Sequence, residues 1–171
     1  LGLLSDKKVI FVFNVSEQQL ADKWQPDQKL LDAMGDAAWV AMCNKLELEL
    51  SDLPAGEAGM PPEDRKTFLA EYGLVEPGLD VLIKTGYRTL GLLTFLTTGE
   101  DESRAWTAHI GDPIPKAARA IHTDFEKLFI RAEVINWKTL LDAGSHANAR
   151  AKGLIKTVGR DYIVQDGDVV E

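Results

Sequence analysis

The stretch that most constrains the fold is "KVIFVF", Lys8 to Phe13, an unbroken β-branched and aromatic run that stops on Asn14-Val15-Ser16-Glu17. A strand with one wet face alternates apolar and polar residues, whereas a continuous run belongs to a central parallel strand covered on both faces. Ser16 and Gln19 match the S-x-x-Q capping box. In "PDQKLLDAMG", Pro26 stands where a helix starts and Gly35 where one ends. "AAWVAM" then reads as a second buried strand. Strand, helix and strand in this order predict the right-handed parallel crossover of α/β proteins.

"CNKLELELSDL" predicts a short helix with Leu46, Leu50 and Leu53 on one side, and "PAGEAGMPP" predicts a loop. Pro61-Pro62 sets up a helix that stops at Gly73, and "GLDVLIKTGYRTLG" carries Leu79, Leu82, Ile83, Tyr87 and Leu90 at helical spacing. From Leu92 the period changes. "LLTFLTTG" and "SRAWTAHIG", joined by Gly-Glu-Asp-Glu, predict a β-hairpin. Asp112 before Pro113 is the expected N-cap of a helix over "PIPKAARAI". A charged connector, a strand over "FIRAEVINW" and two short strands within "YIVQDGDVV" complete the expectation. Hairpin, helix and further strands are the order of a β-grasp module, an α+β plan, with the domain boundary near Gly91.

The chain of 171 residues is 45% hydrophobic, enough for one moderate domain or two small ones. Its formal net charge of -8 repels phosphate at long range, so a nucleic-acid partner requires a local basic patch; neither DNA nor a membrane is an expected partner. Most of the acidity lies before Leu92, and the second module is nearly neutral. A single cysteine, Cys43, cannot form an internal disulfide, and without a signal peptide or an apolar run of membrane-spanning length the cytoplasm is the default. The chain opens on Leu1 and closes just after an Asp-Gly-Asp turn, so a longer parent protein is expected.

"NVSE" is the first candidate site. In P-loop nucleotide hydrolases a strand-end N-K-x-D corner reads guanine: the carboxylate accepts from N1-H and the 2-amino group, and the Asn holds the loop. Here Val15 stands for Lys and Glu17 for Asp, while adenine has no 2-amino group and its N1 is an acceptor, so guanine preference should be lost. The plainer alternative is a strand end at Asn14 with a helix cap at Ser16. "MCNKLELEL" follows the second strand, where such enzymes place a base-contacting loop, so Cys43, Asn44 and Lys45 would line the other side. Its alternative is a polar loop with Asn44 as a helix cap. Taken together, the two segments favour a split base site.

In "IHTDFEKLFIRAEV" the set His122, Asp124 and Glu126 is a poor metal site, because neighbouring positions in a strand or loop rarely converge on one ion. A binding surface fits better: Arg104, Lys116, Arg119, Lys127 and Arg131 interleave with Trp106, Phe125 and Phe129. Its alternative is a solvated face around aromatic core residues. No G-x-x-x-x-G-K-S/T loop occurs, so this chain alone should not hydrolyse a nucleotide.

"KVIFVFNVSE", "CNKLELEL", "GLLTFLTTGEDESRAWTAHIG", "AARAIHTDFEKLFIRAEVI" and "GRDYIVQDGDVV", in this order and spacing, resemble the carboxy-terminal part of the YchF family of Obg-like ATPases. The resemblance covers nearly the whole chain and is most specific in "IHTDFEKLFIRAEV". It implies that residues 1–90 are the last part of a P-loop ATPase domain, with Leu1 to Asp6 ending a helical insertion, and that residues 91–171 are a TGS domain of β-grasp fold lacking its final strand residues. It implies an adenine-facing corner of Asn14, Val15 and Glu17 and a second base loop of Cys43, Asn44 and Lys45. It also implies ATP and magnesium as ligands of the full-length parent, with no tight binding to this segment. Ribosome or RNA association through the TGS surface follows too, with Arg104, His122, Asp124, Phe125, Lys127 and Arg131 as candidate contacts. Leu128 departs from the family's glycine in "FEKGFIRAEV", which puts a tight turn there in doubt, because Leu disfavours positive φ. Two readings remain open: part of an ATP-hydrolysing enzyme, or a stand-alone β-grasp binding module.

Overall fold

The computed structural model describes residues 3, 6–52, 62–99 and 102–171, of which 52 and 62–65 by their backbone alone. The chain divides into two compact units, Leu1–Leu90 and Gly91–Glu171. Among the described residues no helix is long and apolar enough to cross a membrane.

Unit 1 contains β1 (Ile10–Asn14), α1 (Glu17–Ala21), α2 (Gln28–Met34), β2 (Ala38–Met42), α3 (Asn44–Asp52), α4 (Pro62–Glu71) and α5 (Gly78–Leu90). β1 and β2 pair in parallel from Ile10↔Ala38 to Asn14↔Met42, so both strands end at the same edge. The capping box forms: the Gln19 N–H donates to Ser16 Oγ at 3.2 Å and the Ser16 N–H donates to Gln19 Oε1 at 2.9 Å. At α2 the cap is Asp27, whose Oδ1 accepts from the Leu30 N–H at 2.9 Å, so Pro26 precedes the cap instead of starting the helix. α5 packs on β2 and touches β1. Leu53, the third leucine of the expected α3 face, and the "PAGEAGMPP" loop up to Pro61 lie outside the described residues.

A second expectation fails in unit 1. β1 is not covered on both faces, since Phe11 is 38% and Val12 47% exposed. A continuous apolar run encodes two covering layers, and a two-stranded sheet with one backing helix supplies only part of them. Phe13 is the better-covered residue, its ring 5.2 Å from Trp24 and 6.5 Å from Trp39.

Unit 2 contains β3 (Leu92–Thr98), β4 (Ser103–His109), α6 (Ile114–Ala118), α7 (Thr123–Leu128), β5 (Ala132–Asn136), α8 (Trp137–Ala143), α9 (His146–Ala151), β6 (Lys156–Val158) and β7 (Asp168–Val170). Its five-stranded sheet has the order β4-β3-β7-β5-β6. β3 and β7 run parallel, and the other neighbours are antiparallel. Successive strand side chains point to opposite faces, which splits the core in two. Phe95, Leu93, Val134 and Val170 pack with Ile114 and Ala117 on one face, while Ile135 and Val169 pack with Ala143 and Ala149 on the other.

Four local expectations are corrected. Asp112 does not cap α6; Pro113 is the cap residue, and the buried Asp112 carboxylate pairs with Lys116 at 2.7 Å and accepts from the His109 N–H at 3.2 Å. Burial works against its charged form, but those partners outweigh burial and hold its carboxyl below the usual range. The charged connector is helix α7, because the His122 ring supplies a cap by accepting from the Asp124 N–H at 3.2 Å. The strand over "FIRAEVINW" shortens to Ala132–Asn136, where Asn136 caps α8. Of the two strands expected within "YIVQDGDVV" only Asp168–Val170 forms there, Ile163 making a single bridge to Pro113.

Tyr162 and Asp168 close the end of this unit. The Tyr162 hydroxyl donates to buried Asp168 Oδ2 at 2.8 Å, which also accepts from the Gln165 N–H at 2.8 Å. Burial first, then the Asp168 carboxylate, pushes the phenol up from 10.0 to about 12. Because the folded pKa is raised, the Tyr162 contribution to stability is complete below pH 10.0 and disappears as pH rises to about 12. A difference titration of phenolate absorbance, wild type minus Tyr162→Phe, is expected to have its midpoint near 12 rather than 10.

Candidate nucleobase site

The parallel register brings "NVSE" and "CNK" together. Beyond the last paired residues the Val15 N–H donates to the Met42 carbonyl at 2.9 Å, so the chain leaves the two strands side by side. Asn14 Oδ1 accepts from the Asn44 N–H at 3.1 Å, tying the first strand end to the first turn of α3. Lys45 Nζ donates to Glu17 Oε1 at 2.7 Å and lies 3.7 Å from Glu49 Oε1. The Glu17 carboxylate raises the pKa of the Lys45 ammonium above its ordinary value.

These contacts frame a shallow cavity of about 420 Å³ lined by Asn14, Val15, Ser16, Glu17, Gln18, Cys43 and Lys45. Val15 and Cys43 are its buried, apolar floor, and Asn14 and Lys45 are exposed at its rim. Asn44 contributes its backbone N–H to the frame and is not a lining residue. Ser16 and Gln18 were not among the sequence candidates; they line the cavity because the turn into α1 wraps its near side. The chemical content is one carboxylate (Glu17), one ammonium (Lys45), two carboxamides (Asn14 and Gln18), the Ser16 hydroxyl and an apolar floor. Such a rim can orient a flat heterocycle by hydrogen bonds, and a mostly apolar cleft with few polar groups is the usual form of a small-ligand site. Among the described residues no cluster of His, Cys, Asp and Glu could hold a metal ion.

The candidates of unit 2 scatter. Arg104 lies 4.5 Å from the Trp106 ring centroid, Lys116 is held by Asp112, and Arg119 lies 3.7 Å from Glu126. His122 is spent on the α7 cap and stands 3.7 Å from Asp124. Phe125 and Arg131 line one cavity of about 540 Å³ with Ile121, Leu128, Phe129 and Ile130, and Lys127 is exposed on the same helix as Phe125. Among the described residues no ion pair engages Lys127 or Arg131. Leu128 ends α7 without a positive φ, so the helix absorbs the position where a glycine turn was in question.

The chain is similar to a solved structure, the Schizosaccharomyces pombe YchF GTPase, with a TM-score of 0.79 and 30% identity over 99% of this chain and 44% of that one. Its architecture is therefore that of the mixed α/β sheets of YchF proteins. A family model named for the YchF GTPase carboxy terminus and described as "protein of unknown function (DUF933)" matches residues 92–171. The chain is 42% identical over 174 residues to the ribosome-binding ATPase YchF of Bacillus subtilis, across 99% of this chain and 46% of that protein. It is 41% identical over 172 residues to Obg-like ATPase 1 of Caenorhabditis elegans, across 98% of this chain and 42% of that protein. The chain belongs to the YchF family of Obg-like ATPases, and it spans less than half the length of these curated relatives.

Proposed function

We propose that residues 1–90 form the purine-reading edge of a P-loop ATPase domain and that residues 91–171 form a TGS module of β-grasp fold. The observation that carries this reading is the pair of bonds joining the strand ends, Asn44 N–H to Asn14 and Lys45 to Glu17. Similar proteins are named both ATPase and GTPase, so the chemistry of the corner decides between purines. Guanine offers two N–H donors, N1–H and the 2-amino group, and would compete with the Lys45 ammonium for the Glu17 carboxylate. Adenine offers an acceptor at N1, which an ammonium complements. The Asn14 carboxamide holds the second loop, and Val15 and Cys43 exclude water beneath the ring.

ATP would bring the phosphoanhydride to be hydrolysed. The residues of this chain bind and orient its base; the phosphate and magnesium contacts belong to no residue assigned here. The experiment is titration of the isotopically labelled 171-residue chain with adenosine and guanosine, read at the amides of Val15, Glu17, Asn44 and Lys45. Adenosine should shift these resonances with a Kd of about 1 mM, near 4 kcal/mol of binding. Tighter guanosine binding, or no shift with either, overturns the reading.

In unit 2 the proposal is cytoplasmic association with the ribosome through the Phe125, Lys127 and Arg131 surface. Its support is an exposed aromatic beside cations that no acid neutralises among the described residues. Charge reversal at Lys127 and Arg131 should reduce ribosome co-sedimentation and flatten its salt dependence, because two phosphate-seeking charges are lost. Equal co-sedimentation of wild type and variant would count against this surface. A stand-alone binding module remains the reading if ribosomes are bound and nucleosides are not.

A further inference from the structure

We propose that Glu47 and Gly78 are positioning residues for the base loop, acting on Asn44 and Lys45 from outside the cavity. The inference rests on the reading of that cavity as a nucleobase site. α3 begins at Asn44, with only Cys43 between it and β2, so the direction of this helix sets where the Asn44 N–H and the Lys45 ammonium point. Two anchors fix that direction. Leu46 is buried at 1% exposure, and the Glu47 carboxylate reaches across to the start of α5.

There Glu47 Oε1 accepts from the Gly78 N–H at 2.7 Å and Oε2 from the Leu79 N–H at 3.3 Å. A carboxylate spanning two free amides of a helix N-terminus is favoured by hydrogen bonding and by the helix dipole together. Gly78 makes the approach possible. A Cβ at this position would lie 2.6 Å from the Met42 Cβ and 3.0 Å from Glu47 Oε1, so any side chain displaces the last residue of β2 or the carboxylate. Met42 is also the residue whose carbonyl receives the Val15 N–H. Through Met42, Glu47 and Gly78, the end of β2, the start of α3 and the start of α5 form one clamp behind the site.

The clamp has a consequence for ligand affinity that burial alone does not produce. Misplacing a binding group by about 1 Å costs up to roughly 100-fold where orientation matters. Releasing the clamp should therefore loosen the Asn44–Asn14 bond and weaken adenosine binding while leaving unit 2 unchanged. The test uses the full 171-residue chain with Glu47→Ala, Glu47→Gln and Gly78→Ala, read by amide hydrogen exchange and by adenosine titration. In Glu47→Ala and in Gly78→Ala the Asn44 amide should exchange about tenfold or more faster and the adenosine Kd rise by a similar factor, a loss of about 1.4 kcal/mol. Glu47→Gln keeps an acceptor for the Gly78 N–H and should lose less, so a variant that merely unfolds is recognised by lost protection throughout β1 and β2. In that event the Gln variant decides, an Asn44 amide as protected as in wild type with unchanged adenosine affinity counting against the proposal. Unchanged Asn44 exchange in Glu47→Ala overturns it directly. Adenosine that binds all forms equally overturns the clamp and leaves the base site standing; adenosine that binds none refutes the base site, and the exchange data alone then judge the clamp.

Discussion

Changing Val15 to Lys and Glu17 to Asp together is expected to turn purine preference from ATP toward GTP by about 10- to 100-fold in kcat/KM, in a polypeptide carrying this chain with a phosphate-binding half. The double change rebuilds N-K-x-D at the end of β1. Aspartate is one methylene shorter than glutamate, so its carboxylate withdraws from Lys45, which now holds Glu17 at 2.7 Å. The freed acceptor can take the two N–H donors of guanine, and a hydrogen bond to a charged group contributes about 1.5–3 kcal/mol. A site built to hydrogen-bond a ligand donor also rejects a ligand that lacks it, which enlarges the switch. Competition between ATP and GTP under single-turnover conditions measures the ratio. A parent that already favours GTP, or a ratio that the double change leaves in place, would remove the physical basis for calling this corner a purine reader.

Truncating Phe95 to Ala should have the largest effect on stability. Phe95 is 1% exposed at the centre of β3, facing Trp106 across the hairpin and packing with Leu93, Ile114 and Val134. Removing the ring deletes its transfer energy and leaves a void that a sheet backed by helices on both faces cannot collapse, a cost of about 3–5 kcal/mol. In a unit of this size that lowers the midpoint of thermal unfolding by roughly 15 °C or more. Hydrogen exchange separates the two units: protection across Leu92–Thr98 and Ala132–Asn136 should fall steeply, while β1 and β2 keep theirs. Equal loss in both units would mean that they unfold as one cooperative body.

Several local features were legible in the residues alone because their causes are short-range. Ser16 and Gln19 are three positions apart, and the capping box needs nothing beyond that spacing. The hairpin Leu92–His109 follows from two alternating runs around a Gly-containing turn, and the ends of α4 and α5 follow from proline and glycine. Asp112 has the sequence pattern of a cap because a cap and a buried ion pair look the same in sequence; only the approach of Lys116 and the His109 N–H distinguishes them. α8 and α9 carried no expectation, since "WKTLLDAGSHANARA" is short and weakly patterned, and its Ala143 and Ala149 are core residues only because the sheet lies against them.

By itself, then, the order of residues determined the Ser16–Gln19 capping box, the end of the first strand at Asn14 and the two short segments proposed to read a base, because each is written within a few neighbouring positions. Only the tertiary structure decided that Glu17 meets Lys45, that Asn14 holds Asn44, and that Glu47 reaches Gly78. These partners stand 28, 30 and 31 positions apart, and no local rule specifies such a distance. Parallel pairing of β1 with β2 brings the first two together, and packing of α5 on β2 brings the third. Burial of the apolar faces between these elements is the force that brings them into contact.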